Sequence, residues 1–458
     1  MKKILITAIA ILSCIAGTQA QNVYIPNAIF KAALLNNTRI NTNRDTAIQV
    51  SEATAYTGAI HVAGLGILDL TGIDAFVALD SLDCMNNYIY FGDPQDGGYA
   101  IYLGNLNVSA NTALTYLNCS DNLLKSLNVS ANTALTSLNC SGNLLTNLNV
   151  SANTALTNLN CWSNELTSLN VATNTALTSL NCGSCDGSIG IECSGKNQLT
   201  SLNVSACKVL TSLDCSMNLL TNLNVSANTT LTSLDCSGNS LTNLNVSANT
   251  VLKSLYCSFN KLTNLNVLDN TALTYLTCVG NSFTSLNLSA NKALTNLNCS
   301  ENSITNLNVS SNTALTYLWC YDNQLTSLNV KNGNNFNFSD YNFMAFSNPN
   351  LTCIDVDSAA WSNTNWNNID STASFSENCS GTVINTIIPC IVPTVFPNPT
   401  TGNIYLSKNT NIVLTDLLGN LFLEQKNTNQ LDISTLPSGM YFLRVGDNLK
   451  QTFKIIKE

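Results

Sequence analysis

A repeat solenoid of short parallel β-strands, with little helix and a small antiparallel β-sandwich at its C-terminal end, is the fold that the sequence predicts. Three observations carry this expectation. Cysteines recur every 21 residues through the middle of the chain. Leucines recur twice within each such unit at strand spacing. After about residue 395 the repeat gives way to short alternating apolar and polar runs between tight turns.

Residues 1–20 combine Lys2 and Lys3, an apolar stretch from Ile4 to Ile15, and Thr18-Gln19-Ala20. That is the pattern of a secretory signal with a small-residue cleavage site. A cut before Cys14 is the weaker alternative, because Leu12 makes a poor lipobox. The apolar run is too short to span a bilayer, and no other segment reaches ~18 apolar residues, so no transmembrane helix is expected.

Residues 21–59 read as an N-terminal cap. A short helix is expected over 24–36, with Pro26 near its start. Residues 41–52 then resemble an EF-hand calcium loop, with Asn41, Asn43 and Asp45 at positions one, three and five, Ile48 at eight and Glu52 at twelve. The resemblance is degraded: position one is not Asp, and position six is Thr46 rather than Gly. It implies at most weak calcium binding. The structural reading is a relic loop that caps the solenoid.

The solenoid is expected over residues 60–355. Cys119, Cys140, Cys161 and Cys182 are 21 apart, as are Cys215, Cys236, Cys257, Cys278, Cys299 and Cys320. The steps from 182 to 215 and from 320 to 353 are both 33, one period plus a 12-residue insertion. The step from 84 to 119 is 35. Each unit reads Leu114-x-x-Leu117-x-Cys119-x-x-Asn122 and then Leu124-x-x-Leu127-x-Val129-x-x-Asn132. This twice-written L-x-x-L-x-L-x-x-N pattern resembles the bacterial leucine-rich repeat of 21 residues, and the cysteine-bearing repeat arrays of Bacteroidetes surface proteins. Leucines and Cys or Val face inward and stack on the next coil, since one coil cannot form a core alone. The asparagines form two ladders whose amides are expected to satisfy backbone groups where the chain turns.

The ladder cysteines are expected to be free, buried thiols. In-register parallel strands hold them ~4.8 Å apart and parallel, a poor geometry for disulfides. Off the ladder, Cys185 with Cys193 in one insertion, and Cys353 with Cys379 near the end of the solenoid, are candidates to bridge. Cys207 replaces a ladder Asn.

Residues 356–394 read as a C-terminal cap and linker, and residues 395–458 as the sandwich. The latter carry Pro397-Asn398-Pro399-Thr400-Thr401-Gly402, then Asp416-Leu417-Leu418-Gly419, then Leu436-Pro437-Ser438-Gly439-Met440-Tyr441. This ordered series resembles the type A sorting domain of the type IX secretion system of Bacteroidetes. The resemblance implies recognition by that machinery, passage through the outer membrane, removal of the domain, and release or attachment at the cell surface.

Composition bounds the function. Charged residues are 10% of the chain, the net charge is −9, and only three residues are arginine. This balance argues against a nucleic-acid partner or an anionic membrane on electrostatic grounds. The single histidine, His61, excludes multi-histidine metal sites and leaves little room for a Ser-His-Asp enzyme. No cofactor is expected beyond weak calcium. Most outward strand positions are Ser, Asn or Asp. The exceptions are Tyr317, Trp319 and Tyr321 on one strand, with Tyr256 and Tyr275 on earlier ones, and the insertion at 88–102 with Tyr88, Tyr90 and Tyr99. Aromatics displayed on a rigid sheet suit sugar stacking or a protein hot spot. The Trp319 ring is expected to stand clear of the sheet. The leading reading is a non-catalytic, secreted or surface-displayed protein that binds a protein or glycan, with adhesion as one use. A structural surface component is the alternative, ahead of a hydrolase with an unrecognised site.

Overall fold

The computed structural model describes residues 21–91, 99–185, 195–379, 395–417, 419–446 and 451–458. The leader at 1–20, Asp93 and Asp96 of the first insertion, Cys193, the segment 380–394 and Leu418 lie outside the described residues. The chain divides into two compact units, 1–379 and 380–458.

The first unit begins with helix α1 (Ala28–Asn36), capped by Asn27, whose side chain accepts from the Phe30 amide at 2.9 Å. Helix α2 (Val50–Ala55) begins inside the segment 41–52, with Glu52 in its first turn. Phe30, Leu34, Ile40 and Ile48 are buried and close the N-terminal end of the core. From Ala59–His61 to Phe343–Met344 the described residues build a thirteen-stranded parallel sheet, mostly of three-residue strands such as Ser137–Asn139. Register is strict: Leu117 stands opposite Leu138, and Leu138 opposite Leu159. The middle Leu of each triplet and the Cys that follows are buried, while flanking residues face outward, as the two-residue period of a strand requires. A four-stranded parallel sheet (Asn306–Asn308, Ser327–Asn329, Cys353–Asp355, Ser374–Ser376) forms on the Val side at the C-terminal end.

The first asparagine ladder explains the turns. Asn143 donates to the carbonyls of Cys140 in its own coil and Cys119 in the previous one, and accepts from the Leu124 amide. Every neighbour in the ladder repeats this arrangement. The residue before each ladder Asn except Asn197 is left-handed: Asn86, Asp121, Ser163, Met217, Phe259, Glu301, Asp322 and Ser347 among non-glycines. At Gly280 (φ +63) a Cβ would lie 2.6 Å from Cδ1 of Phe259, so any other residue there would have to displace that exposed ring. Asn87, Asn197 and Asn348 continue the ladder across the irregular steps. Asn197 donates to the Cys161 carbonyl, and Asn348 to that of Cys320. Insertions therefore leave the core register intact.

The 33-residue step from 320 to 353 has a different basis from the one expected. The coil after Cys320 places Phe343 opposite Leu318, and buried Ala345 follows where the ladder would have a cysteine. Cys353 lies instead in the Val-side sheet, where Ile354 stands opposite Leu328. Spacing alone cannot tell a lengthened coil from a change of sheet, because both turns of the repeat carry the same leucine pattern. Parallel stacking also runs on past residue 355, to Ser374–Ser376.

Among the described residues twelve cysteines are free and buried, from Cys84 to Cys320, with Cys207 among them. Burial pushes their thiols up, Cys299 to about 12, with neighbouring cysteines adding to the effect at Cys119 and Cys140. Cys207 donates its S–H towards the Val171 and Asn174 carbonyls, the task a ladder Asn performs elsewhere. Cys353 and Cys379 are disulfide-bonded, with Cα atoms 5.7 Å apart. Cys185 is also in a disulfide. Native protein is expected to be inert to an aromatic disulfide reagent near neutral pH and to release at least the ten regularly spaced thiols once denatured. Full pairing of those cysteines after denaturation without reductant would refute the geometry.

The second unit is an antiparallel five-stranded sheet. Two long strands, Asn403–Thr415 and Leu421–Asp432, pair along their length with register shifts. Val395–Phe396 borders the first half of the long strand, and Gly439–Val445, followed by Gln451–Lys457, borders the second. The irregularities let both halves contribute to one core, with Ile404, Leu406 and Leu431 from one and Ile412, Leu414 and Leu443 from the other.

Candidate functional site

The insertion after Cys84 folds as a β-hairpin. Strands Tyr88–Phe91 and Tyr99–Tyr102 form a two-stranded sheet separate from the thirteen-stranded one. Its base is fixed from both sides. Asn87 belongs to the buried ladder and its carbonyl accepts from the Leu103 amide at 2.9 Å. Ile89 packs over Gly66, where a Cβ would lie 3.3 Å from its Cγ1.

Register sorts the side chains. Tyr88 stands opposite Tyr102, Tyr90 opposite Ala100, and Phe91 opposite Tyr99. Tyr88, Tyr90 and Tyr102 therefore share one face, and Phe91, Tyr99 and Ile101 the other. Ring centroids of Tyr88 and Tyr102 are 5.2 Å apart, and those of Phe91 and Tyr99 5.5 Å. Tyr99 is 64% exposed, and Tyr88, Tyr90, Phe91 and Ile101 each exceed 40%. The structure thus places Tyr88, Tyr90 and Tyr99 on one hairpin but on different faces, Tyr88 and Tyr90 on one and Tyr99 on the other. Phe91 of the same insertion is exposed beside them, and the structure adds Ile101, which was not singled out because a single apolar residue in an insertion carries no signal until the pairing is known.

The second aromatic group lies on Tyr317–Trp319 and its continuation. Ring centroids of Tyr317 and Trp319 are 4.9 Å apart, those of Trp319 and Tyr321 6.1 Å, and Tyr321 stacks on Phe346 at 4.9 Å. Trp319 does not stand clear of the sheet. It is half-buried, and its Nε1 donates to the Tyr341 carbonyl at 3.0 Å. The reason is the next coil: Asp340–Asn342 is a 3₁₀ turn leading into the strand that pairs with Tyr317–Trp319, and it folds across the indole. Burial, and then Tyr321, pushes the Tyr317 phenol up to about 12. Tyr341, 77% exposed, is the most open ring of this group. Tyr275 is exposed and Tyr256 half-buried, on neighbouring strands of the same sheet. Tyr275 and Tyr317 are separated by the strand of Asn296–Asn298, so these rings do not form one continuous patch with Trp319.

Asn41, Asn43, Asp45 and Glu52 converge in the N-terminal loop, where they hydrogen-bond mainly with one another's backbone and with Gln49. Among the described residues, no group of three or more His, Cys, Asp or Glu side chains is placed to hold a metal ion, and no helix is long and apolar enough to cross a membrane.

Residues 394–458 match the family model of the secretion system C-terminal sorting domain. The chain is exported by type IX secretion. Its destination is the cell surface or the exterior. The chain is similar in structure to the functional domain of InlJ from Listeria monocytogenes, which is described as including a cysteine ladder. The two are 26% identical, with 96% of this chain and 98% of that one covered and a TM-score of 0.55. An internalin of Listeria monocytogenes is 19% identical, covering 79% of this chain and 99% of that one, with a TM-score of 0.49. A leucine-rich-repeat protein of Leptospira interrogans is 17% identical, covering 71% and 97%, with a TM-score of 0.48. No curated protein matched the chain by sequence. The solenoid is of the leucine-rich-repeat class, and the chain is an exported leucine-rich-repeat protein.

Proposed function

We propose that this exported solenoid is a non-catalytic recognition protein whose principal contact surface is the hairpin at 88–102. The observation that carries this reading is the shared exposure of Tyr88, Tyr90, Phe91, Tyr99 and Ile101 on a hairpin rooted in the ladder at Asn87. Large rings held on a fixed backbone lose little conformational freedom on binding and supply most of the energy of a contact patch. Most of the outward sheet surface, rows of Ser, Asn and Asp, offers poor anchors, with Tyr116 and Tyr275 as isolated exposed rings. Aromatics on both faces of the hairpin favour a protein ligand that surrounds it, with a glycan stacking on one ring as the alternative. Adhesion is the use that fits an exported protein with such a surface. The row at Tyr317, Trp319 and Tyr321 is a secondary contact, narrowed by the turn over the indole.

Screening the purified chain against extracellular-protein and glycan arrays tests this. Any ligand found is expected to bind Tyr99→Ala ~1–3 kcal/mol more weakly, as for an exposed hot spot, with no change in melting temperature. Undiminished binding by Tyr99→Ala and by a Tyr88→Ala/Tyr90→Ala double variant would move the site away from the hairpin.

A further inference from the structure

A calcium loop works by leaving oxygen lone pairs free and aimed at one point, with six to eight oxygens around the ion. In residues 41–52 the corresponding oxygens are already engaged. Oδ2 of Asp45 accepts from Nε2 of Gln49 at 2.7 Å and from Nδ2 of Asn43 at 3.0 Å, while Oδ1 accepts from the Ala47 amide at 2.8 Å. The Ala47 carbonyl, at position seven, accepts from the same Nε2 at 3.4 Å. Oδ1 of Asn43 accepts from the Asp45 amide. Both oxygens of Glu52 are engaged as well. Its Oε1 accepts from the amide and hydroxyl of Thr42 at 2.8 and 2.9 Å, and its Oε2 accepts from the Gln49 amide at 3.1 Å, capping helix α2.

The backbone agrees. Arg44 is left-handed (φ 60), but Thr46 at position six, where a calcium loop has its glycine turn, is not among the left-handed residues. Oδ1 of Asn41 is the one buried loop oxygen without a partner, and its own Nδ2 is held by the Leu35 and Asp45 carbonyls. One neutral carbonyl oxygen does not make a cation site.

We propose that the carboxamide of Gln49 takes the part of the cation, so that the loop is a metal-independent cap. Its N–H donors bridge Asp45 and the Ala47 carbonyl, two groups that a calcium ion would draw together, and its Oε1 accepts from Nδ2 of Asn43 at 2.8 Å. The bridge fixes the path from Ile40 to Ile48, both buried in the end of the solenoid core. An exported solenoid closed in this way keeps its N-terminal cap whatever the calcium level outside the cell.

Calorimetric titration of the full chain with calcium chloride, and melting curves in calcium and in chelator, test this. Wild type is expected to show no binding isotherm and the same melting temperature in both. Gln49→Ala is expected to melt lower by the same amount in both, because the lost bridge owes nothing to the ion. Gln49→Asp, which trades the donors for a carboxylate at position nine, is expected to melt lower in chelator and to regain stability in calcium. One calcium bound per wild-type chain with a raised melting temperature would overturn the proposal. So would a Gln49→Ala variant that melts like wild type in both conditions.

Discussion

Replacing Asn260 by alanine is expected to cost the solenoid about 3–5 kcal/mol, more than any conservative leucine or cysteine replacement in the same coil. Its Nδ2 donates to the carbonyls of Cys236, Cys257 and Ser258 at 3.0, 3.2 and 3.1 Å, and its Oδ1 accepts from the Leu241 amide at 3.0 Å. All four contacts lie in a dry interior, and a buried polar group stripped of its partner costs ~1–3 kcal/mol. The second ladder provides the control. Asn249 donates to the Val225 and Asn228 carbonyls, but its Oδ1 is buried without a partner. Asn249→Ala removes two bonds and one unsatisfied oxygen together, so its cost is expected near ~2 kcal/mol. Denaturant unfolding of both variants with reductant present checks the order. Equal costs would mean that the first ladder owes its regularity to something other than these bonds. Because each coil touches only its neighbours, the Asn260 lesion is also expected to split unfolding into two transitions.

Deleting residues 394–458 is expected to abolish export while leaving the solenoid folded. The matched sorting domain has its own core of Ile404, Ile412, Leu414, Leu443 and their neighbours, and the solenoid has another. Neither core contains a residue of the other. In the native host the truncated chain is expected to accumulate in the periplasm as soluble protein and to be lost from the cell surface and medium. Purified, it is expected to show the strand signal and the main melting transition of the full chain. Surface display of the truncated chain would refute the role of the domain in export. Loss of the melting transition would show that the solenoid depends on it.

The fold was legible because the repeat writes the same physical instruction many times. A single Leu-x-Cys triplet is ambiguous, but its recurrence every 21 residues admits only in-register stacking, and the paired leucines from Leu82 to Leu318 show that stacking. The candidate contact surface was legible only in part. Tyr88, Tyr90 and Tyr99 stand out in a polar chain, yet that Tyr99 lies on the face opposite Tyr88 and Tyr90 follows only from the pairing of Tyr88 with Tyr102. Trp319 shows the converse. Its place on an outward strand position follows from the triplet, but its half-burial follows from the 3₁₀ turn at Asp340–Asn342, in a segment with no repeat to read.

By itself, then, the sequence determined everything that depends on local period: parallel strands, inward leucines and thiols, asparagines at the turns, and the motifs of the exported tail. Tertiary structure alone decided what depends on contacts between residues at irregular separations. It recruited Asn197 and Asn348 into the ladder at irregular separations, since a buried row of carbonyls needs a donor in every coil. It moved Cys353 into the second sheet, and it set Gln49 between Asp45 and Ala47. A periodic pattern specifies its own neighbours. A break in the period does not, and there the chain takes whichever packing leaves the fewest buried polar groups unpaired.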